Sequence, residues 1–201
     1  MLNKKNLYIS RDNSEEIVLK ARKKINIVLL REEIFIKIIK VDKKDNIEKL
    51  ITENIDSTFR YYEVLTHYQK VSFNNNNYLV IYFIKYYNAL RKIISKKKVV
   101  SLRPYEFTEE FKNKDRSKGL NISIKTFKGY AYIVGKINKT VVYTKSFDID
   151  ENIKDYVLEC LEYLKEIFSI NDFILFIEEN LYNNELNKLT KNIKIIKGKV
   201  S

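Results

Sequence analysis

One cysteine, one proline, one histidine, four glycines and no tryptophan occur in 201 residues, and each scarcity excludes something. A lone cysteine, Cys160, rules out an internal disulfide and a cysteine-based zinc site, and it fits a reducing compartment. Its place on the apolar side of a helical pattern marks it as a small buried hydrophobe rather than a reactive thiol. A lone histidine, His67, cannot build a histidine-rich metal site, and no nucleophile motif surrounds it for general-base work. Four glycines leave almost nowhere for the backbone to come close to a phosphate, which excludes P-loop and dinucleotide chemistry. The opening residues 1–16 have no apolar signal core, and the longest apolar run, residues 78–84, is far shorter than a membrane span. A soluble, cytosolic protein is expected. The acid pairs Glu15-Glu16, Glu32-Glu33, Glu109-Glu110 and Glu178-Glu179 read as solvated faces, because adjacent carboxylates diverge on a strand and face water on a helix.

What is abundant is hydrophobic residue, at 45%, and positive charge, at a net +12. The first is enough for a real core. The second raises the question of nucleic acid, so its distribution matters. Residues 111–147 carry nine lysines and arginines against Asp115 alone. Between residues 148 and 185 the sign reverses, with only Lys154 and Lys165 as bases, and lysines return at the end. Segregated blocks of both signs suit complementary docking surfaces better than one phosphate-tracking groove. Fifteen tyrosines offer stacking platforms at Tyr61-Tyr62 and Tyr86-Tyr87, but no RNA- or DNA-binding motif surrounds them, and alternating tyrosines commonly cover a sheet face.

The clearest stretch is residues 120–147. Ile122, Ile124 and Thr126 alternate with polar neighbours, residues 132–137 are apolar, and Val141, Tyr143 and Lys145 alternate again after a turn at 136–139. This spacing predicts a three-stranded antiparallel meander. Asp148, Asp150 and Glu151 then supply an N-cap and first-turn acids for a helix burying Ile153, Tyr156, Val157, Cys160, Leu161, Leu164 and Phe168. A strand at 173–177, a helix at 184–189 and a strand at 193–196 complete a layered α/β half.

In the first half, strands are expected at 7–10, 25–30, 33–41, 62–72, 78–84 and 99–102. Helices are expected at 14–21, after a cap at Asn13 or Ser14, and at 45–59 and 86–94. The runs 25–30 and 33–41, separated only by Arg31-Glu32, suggest a central hairpin or bent pair. Residues 74–77 are a polar hairpin turn. Residues 106–119, polar and nearly free of aliphatics, read as the linker between halves.

In their order, a meander followed by helix, strand, helix, strand, and a first half running NIVLLREEIFIKIIKVDKKDNIEKLITENIDSTF, YEVLTHYQKV and NYLVIYFIKYYNALRKIISKKKVVSL, the elements resemble the pilus assembly protein PilM and the cytoplasmic domain of the secretion protein GspL. The resemblance implies an α/β, actin-like (ribonuclease H-like) fold of two lobes with mixed sheets and flanking helices, degenerate and reduced, with lobes at 1–110 and 111–201. It further implies a non-catalytic cytoplasmic adaptor of a type IV pilus or type II secretion platform. Such a protein would meet the membrane only through a membrane-anchored partner, with the assembly ATPase as a further partner and no small-molecule substrate. PilM-like proteins also hold nucleotide, and here the sequence departs from them. Lys125-Thr126-Phe127 stands where the fold's Asp-x-Gly phosphate loop is expected, Glu178-Glu179-Asn180 stands for the adenine-side glycines, and residues 1–11 contain no Asp-x-Gly. No cofactor is therefore expected. A basic nucleic-acid-binding domain is the alternative, and an actin-like ATPase with unrecognised motifs the third reading.

The docking surface expected for a partner segment is the strand at 62–72. There Tyr62, Val64, Thr66, Tyr68 and Lys70 share one face, the other face packs on the helix at 46–59, and Tyr62, Tyr68 and Lys70 are the candidate contacts.

Overall fold

A computed structural model describes residues 6–10, 25–59, 64–85, 88–96, 99–111, 119–170 and 172–197. The helix expected at 14–21, Tyr62 and the stretch 112–118 lie outside them. Three sheets are present. Strands β1 (Asn6–Ile9), β2 (Ile25–Leu29) and β6 (Val99–Pro104) form a parallel sheet with β2 in the middle. Strands β3 (Ile34–Val41), β5 (Asn76–Lys85) and β4 (Val64–Phe73) form an antiparallel sheet with β5 in the middle. The third sheet runs in the order β11-β10-β7-β8-β9, built from β7 (Leu120–Phe127), β8 (Tyr130–Ile137), β9 (Thr140–Asp148), β10 (Phe173–Glu178) and β11 (Ile193–Ile196).

Central position explains the continuous apolar runs. In β2, Ile27 and Leu29 are wholly buried, and in β5 Leu79, Val80 and Ile81 are too, because each strand is covered on both faces. A polar ladder pins the register of the parallel sheet: Asn26 Nδ2 donates to Asn6 Oδ1 (3.4 Å), and Ser101 Oγ donates to Asn26 Oδ1 (2.9 Å). The expected hairpin between β2 and β3 does not form. Leu30 N donates to Ile9 O at 2.7 Å, holding the chain in the parallel sheet until Arg31 adopts φ 53° and turns it away. An Arg-Glu connection lacks the residues that favour two positive φ angles in a tight hairpin, and β3 pairs with β5 instead. The β4–β5 hairpin does carry such residues, Asn74 (φ 46°) and Asn75 (φ 61°).

The meander β7-β8-β9 is present as expected, turning at Lys128-Gly129 and at Asn138 with positive φ. Helix α3 (Ile153–Phe168) carries the chain from β9 to β10. Its N-cap is Asn152, whose side chain accepts from Lys154 N at 3.2 Å, rather than one of the acids before it. Glu151 instead accepts from Asp148 N at 3.0 Å and shapes the approach. The helix buries Ile153, Val157, Cys160, Leu161, Leu164 and Phe168, while Tyr156 is half-buried and stacks on Phe147 at 4.1 Å. Gly135 makes this close seat possible, since a Cβ there would lie 3.1 Å from Leu164 Cδ1 and 3.3 Å from Cys160 Sγ. Burial also pushes the Cys160 thiol far above its ordinary pKa, so it is inert. Toward the C-terminus, the helix expected at 184–189 is a five-residue 3-10 turn, Asn184–Lys188.

One apolar core runs through the parallel sheet, the inner face of β3-β5-β4 and the five-stranded sheet. A second, smaller core lies under α1 (Ile47–Phe59), where Leu50, Ile51 and Ile55 meet Val41, Leu79 and Ile81. Half of the expected linker belongs to the main core. Residues Tyr105–Phe107 and Glu109–Phe111 form two 3-10 turns that bury Tyr105, Glu106 and Phe111. Their aromatic rings outweigh the polar look of the segment.

Candidate docking and ligand sites

Lys125-Thr126-Phe127, the residues expected in place of a phosphate loop, sit in a cross-connected cluster. Lys125 Nζ donates to the Glu110 carbonyl and lies 5.7 Å from the Phe111 ring. Both the amide and the hydroxyl of Thr126 donate to Glu178 Oε2, at 2.8 and 2.7 Å. Phe127 stacks on Tyr105 with centroids 4.5 Å apart, and Tyr8 closes the far side at 5.0 Å. Tyr105 also meets Phe111 and Tyr132 edge-on, at 5.5 and 4.8 Å. A phosphate needs free amides and a positive or metal-bearing pocket. Here the Thr126 amide is occupied by a carboxylate, and aromatic rings occupy the space. These residues do not fit a Mg-nucleotide. Among the described residues no group of three metal-ligating side chains comes together either.

Two of the acids expected to be solvated are buried instead: Glu178, which ties β10 to β7, and Glu32 in the β2–β3 connection. Glu106, on the far side of β6, is 1% exposed. Burial pushes its carboxyl up to about 8, its own turn's backbone and Thr144 oppose the rise, and the Glu32 charge adds to it. Nothing in the sequence separates this acid from its exposed neighbour Glu109, because only tertiary packing decides which one is enclosed.

The predicted docking strand is an edge. Among the described residues β4 pairs with β5 alone. Cross-strand partners share a face, and Thr66, Tyr68 and Lys70 sit opposite Phe83, Ile81 and Leu79, which lie beneath α1. The candidate residues are therefore on the same side as the helix, where the expectation placed the helix on the opposite side. They remain accessible because α1 packs over β3 and β5 and, among the described apolar residues of β4, meets Val64 alone. Tyr68 is 45% exposed and Lys70 is exposed as well. The result is a shelf along the outer margin of β4, beside the helix.

On the other face of β4 the sheet leans on the main core. Tyr82 Oη lies 2.8 Å from the Val141 carbonyl and 3.1 Å from Gln69 Oε1, and Asn138 Nδ2 donates to Ser72 O at 3.2 Å. Where this contact ends, a cavity of about 450 Å³ opens between Leu65 of β4, Ile84 of β5, Leu102 of β6, Phe107 and Ile94 of helix α2 (Asn88–Lys96). Arg103 lines it, and His67 stands in its wall with its ring parallel to Tyr82 at 5.8 Å. The periodicity of the separate elements carries no sign of this space, which exists only where several of them fail to meet.

No protein-family model matches the chain, and no curated protein matches it. Solved structures do. A Bacteroides thetaiotaomicron protein with an actin-like ATPase fold and unknown function is 15% identical, with 92% of this chain and 74% of that one covered at a TM-score of 0.50. The PilM-PilN type IV pilus biogenesis complex is 12% identical over the same shares, at 0.51. The cytoplasmic domain of EpsL, an inner-membrane component of the type II secretion system of Vibrio cholerae, is 8% identical over 98% of this chain and 85% of that one, also at 0.51. With its five-stranded sheet in the order β11-β10-β7-β8-β9 and its parallel sheet reduced to three strands, the chain has the actin-like fold in a small form.

Proposed function

We propose that the chain is a non-catalytic cytoplasmic adaptor, built of lobes 1–110 and 111–201, in a type IV pilus or type II secretion assembly platform. It takes up an extended segment of a membrane-anchored partner along β4, and the assembly ATPase is a second partner. The observation that carries this reading is the outer edge of β4. A ten-residue strand leaves a row of backbone donors and acceptors able to receive another strand, and aromatic and cationic side chains flank it for selectivity. Support comes also from the fold neighbours, one solved as a PilM-PilN complex and one a domain of an inner-membrane component. The cluster at Lys125-Thr126-Phe127 supports the non-catalytic part, since it leaves no room for the nucleotide of an ATPase. Among the described residues no helix is long and apolar enough to cross a membrane; in this reading attachment runs through the partner.

Capture from solubilised membranes, with the bound protein identified and its segment resynthesised as a peptide, tests the proposal. Tyr68→Ala and Lys70→Glu each weaken peptide binding by at least tenfold, about 1.4 kcal/mol, with melting temperature nearly unchanged. Tyr62→Ala extends the test to the third candidate contact, which lies outside the described residues. Unaltered binding by all three variants removes this edge as the docking surface.

A further inference from the structure

The cavity on the opposite face of β4 has the composition of a ligand site rather than of a packing defect. Its volume, about 450 Å³, lies within the range of small-molecule pockets, and such pockets combine apolar walls with a few converging polar groups. Its walls come from five elements, through Ile34, Leu65, Ile84, Ile94 and Leu102, with Phe107 as a sixth contribution. Among the described residues a single permanently charged side chain lines it, Arg103, and no carboxylate does. Arg103 Nε is buried and makes no hydrogen bond. Guanidinium cannot shed its proton to escape that position. The guanidinium charge therefore borders a space in which, among the described residues, no carboxylate answers it.

We infer that this cavity binds a small amphipathic carboxylate, with its apolar body against Leu65, Ile84, Ile94 and Leu102 and its carboxylate on the Arg103 guanidinium. The planar fork of an arginine matches the two oxygens of a carboxylate, and the wall beyond it offers contact to carbon alone. His67, in the β4 wall, is a further polar group of the lining. A hydrocarbon without a charge would fill the walls but leave the Arg103 donor unanswered. A highly charged anion would find one cation and a lining that cannot solvate the rest of it. This departs from the expectation that the chain takes no small molecule, and it is independent of partner docking, which uses the other face of the strand.

The test uses the full chain with octanoate as probe, followed by methyl NMR shifts and calorimetry. Octanoate is expected to bind saturably at one site, with shifts centred on Leu65, Ile84, Ile94 and Leu102, and octanol to bind at least tenfold more weakly. Arg103→Gln brings octanoate down to the octanol level, while Arg103→Lys, which keeps the charge but loses the fork, falls between. Leu102→Phe fills the cavity and abolishes binding of both probes, and Lys70→Glu, on the far face of β4, changes neither. Thermal melts of each variant separate lost binding from lost fold. Equal affinity for octanol and octanoate, full affinity in Arg103→Gln, or full affinity in a folded Leu102→Phe protein would overturn the assignment. Octyl phosphate binding more tightly than octanoate would overturn the carboxylate head.

Discussion

Glu106→Gln is the perturbation with the most calculable outcome. Glu106 sits in the 3-10 turn after β6, 1% exposed, with Oε2 lacking a hydrogen-bond partner. Around it are Glu32 from the β2–β3 connection, Thr144 from β9 and Tyr132 from β8. Desolvation is the main reason its carboxyl titrates near 8 instead of 4.5. Between those two values the folded chain keeps a proton that the unfolded chain releases. The contribution of this group is thus fully present below pH 4.5 and is lost as pH rises through 8. In the middle of that window the slope is about 1.4 kcal/mol per pH unit, and the whole span amounts to at most about 5 kcal/mol. Glutamine keeps the shape and the hydrogen-bonding capacity without the titration. Urea unfolding of both proteins at pH 5, 6, 7 and 8 should show nearly equal stability at pH 5 and an advantage for Glu106→Gln of several kcal/mol at pH 8. Parallel stability–pH curves would mean that Glu106 is ionised in the folded chain or is not enclosed, and the account of this turn would fall.

Further outcomes follow from single contacts. Gly135→Ala puts a Cβ 3.1 to 3.3 Å from Leu164 Cδ1, Tyr143 Cβ and Cys160 Sγ, so it should cost about 1–3 kcal/mol in a denaturant titration, and a neutral result would show that α3 is not seated on β8 as described. Tyr82→Phe removes the hydroxyl at the Val141 carbonyl, a bond that ties β5 to β9, and a loss of about 1–2 kcal/mol is expected, with an unchanged midpoint counting against that link. Calorimetric titration with Mg-ATP should find no binding tighter than about millimolar, roughly 4 kcal/mol, because Phe127 and Tyr105 occupy the phosphate position; micromolar affinity would restore the ATPase reading.

The sequence was most legible where neighbours along the chain are also neighbours in space. Residues 120–147 alternate and turn at Lys128-Gly129 and Asn138, so the pattern that makes each strand also pairs it with the next. The β4–β5 hairpin is legible for the same reason. Sheet membership is a different matter, since an apolar run such as Ile25–Leu29 reports burial on both faces but not which strands provide it. Its partners, β1 and β6, lie far away in sequence, and the single event that separates it from β3 is a left-handed Arg31 with no compositional mark. Segment 105–111 failed for a related reason, as its aromatic residues are few enough to look like decoration on a polar loop, yet each ring fills the seam between sheets. The docking strand shows both halves of the problem. Alternation correctly grouped Tyr68 with Lys70, while the side taken by α1 depended on β5, whose Leu79, Ile81 and Phe83 face the helix and whose Val80, Tyr82 and Ile84 face the main core. Both faces of β5 are apolar, so the pattern of the strand alone does not say which one the helix covers, and the accessible part of β4 is what that helix leaves uncovered. The cavity behind it arises from the complementary shortfall, several elements that surround a space without filling it. Sites of both kinds are residues of packing, and they become readable only after the packing is known.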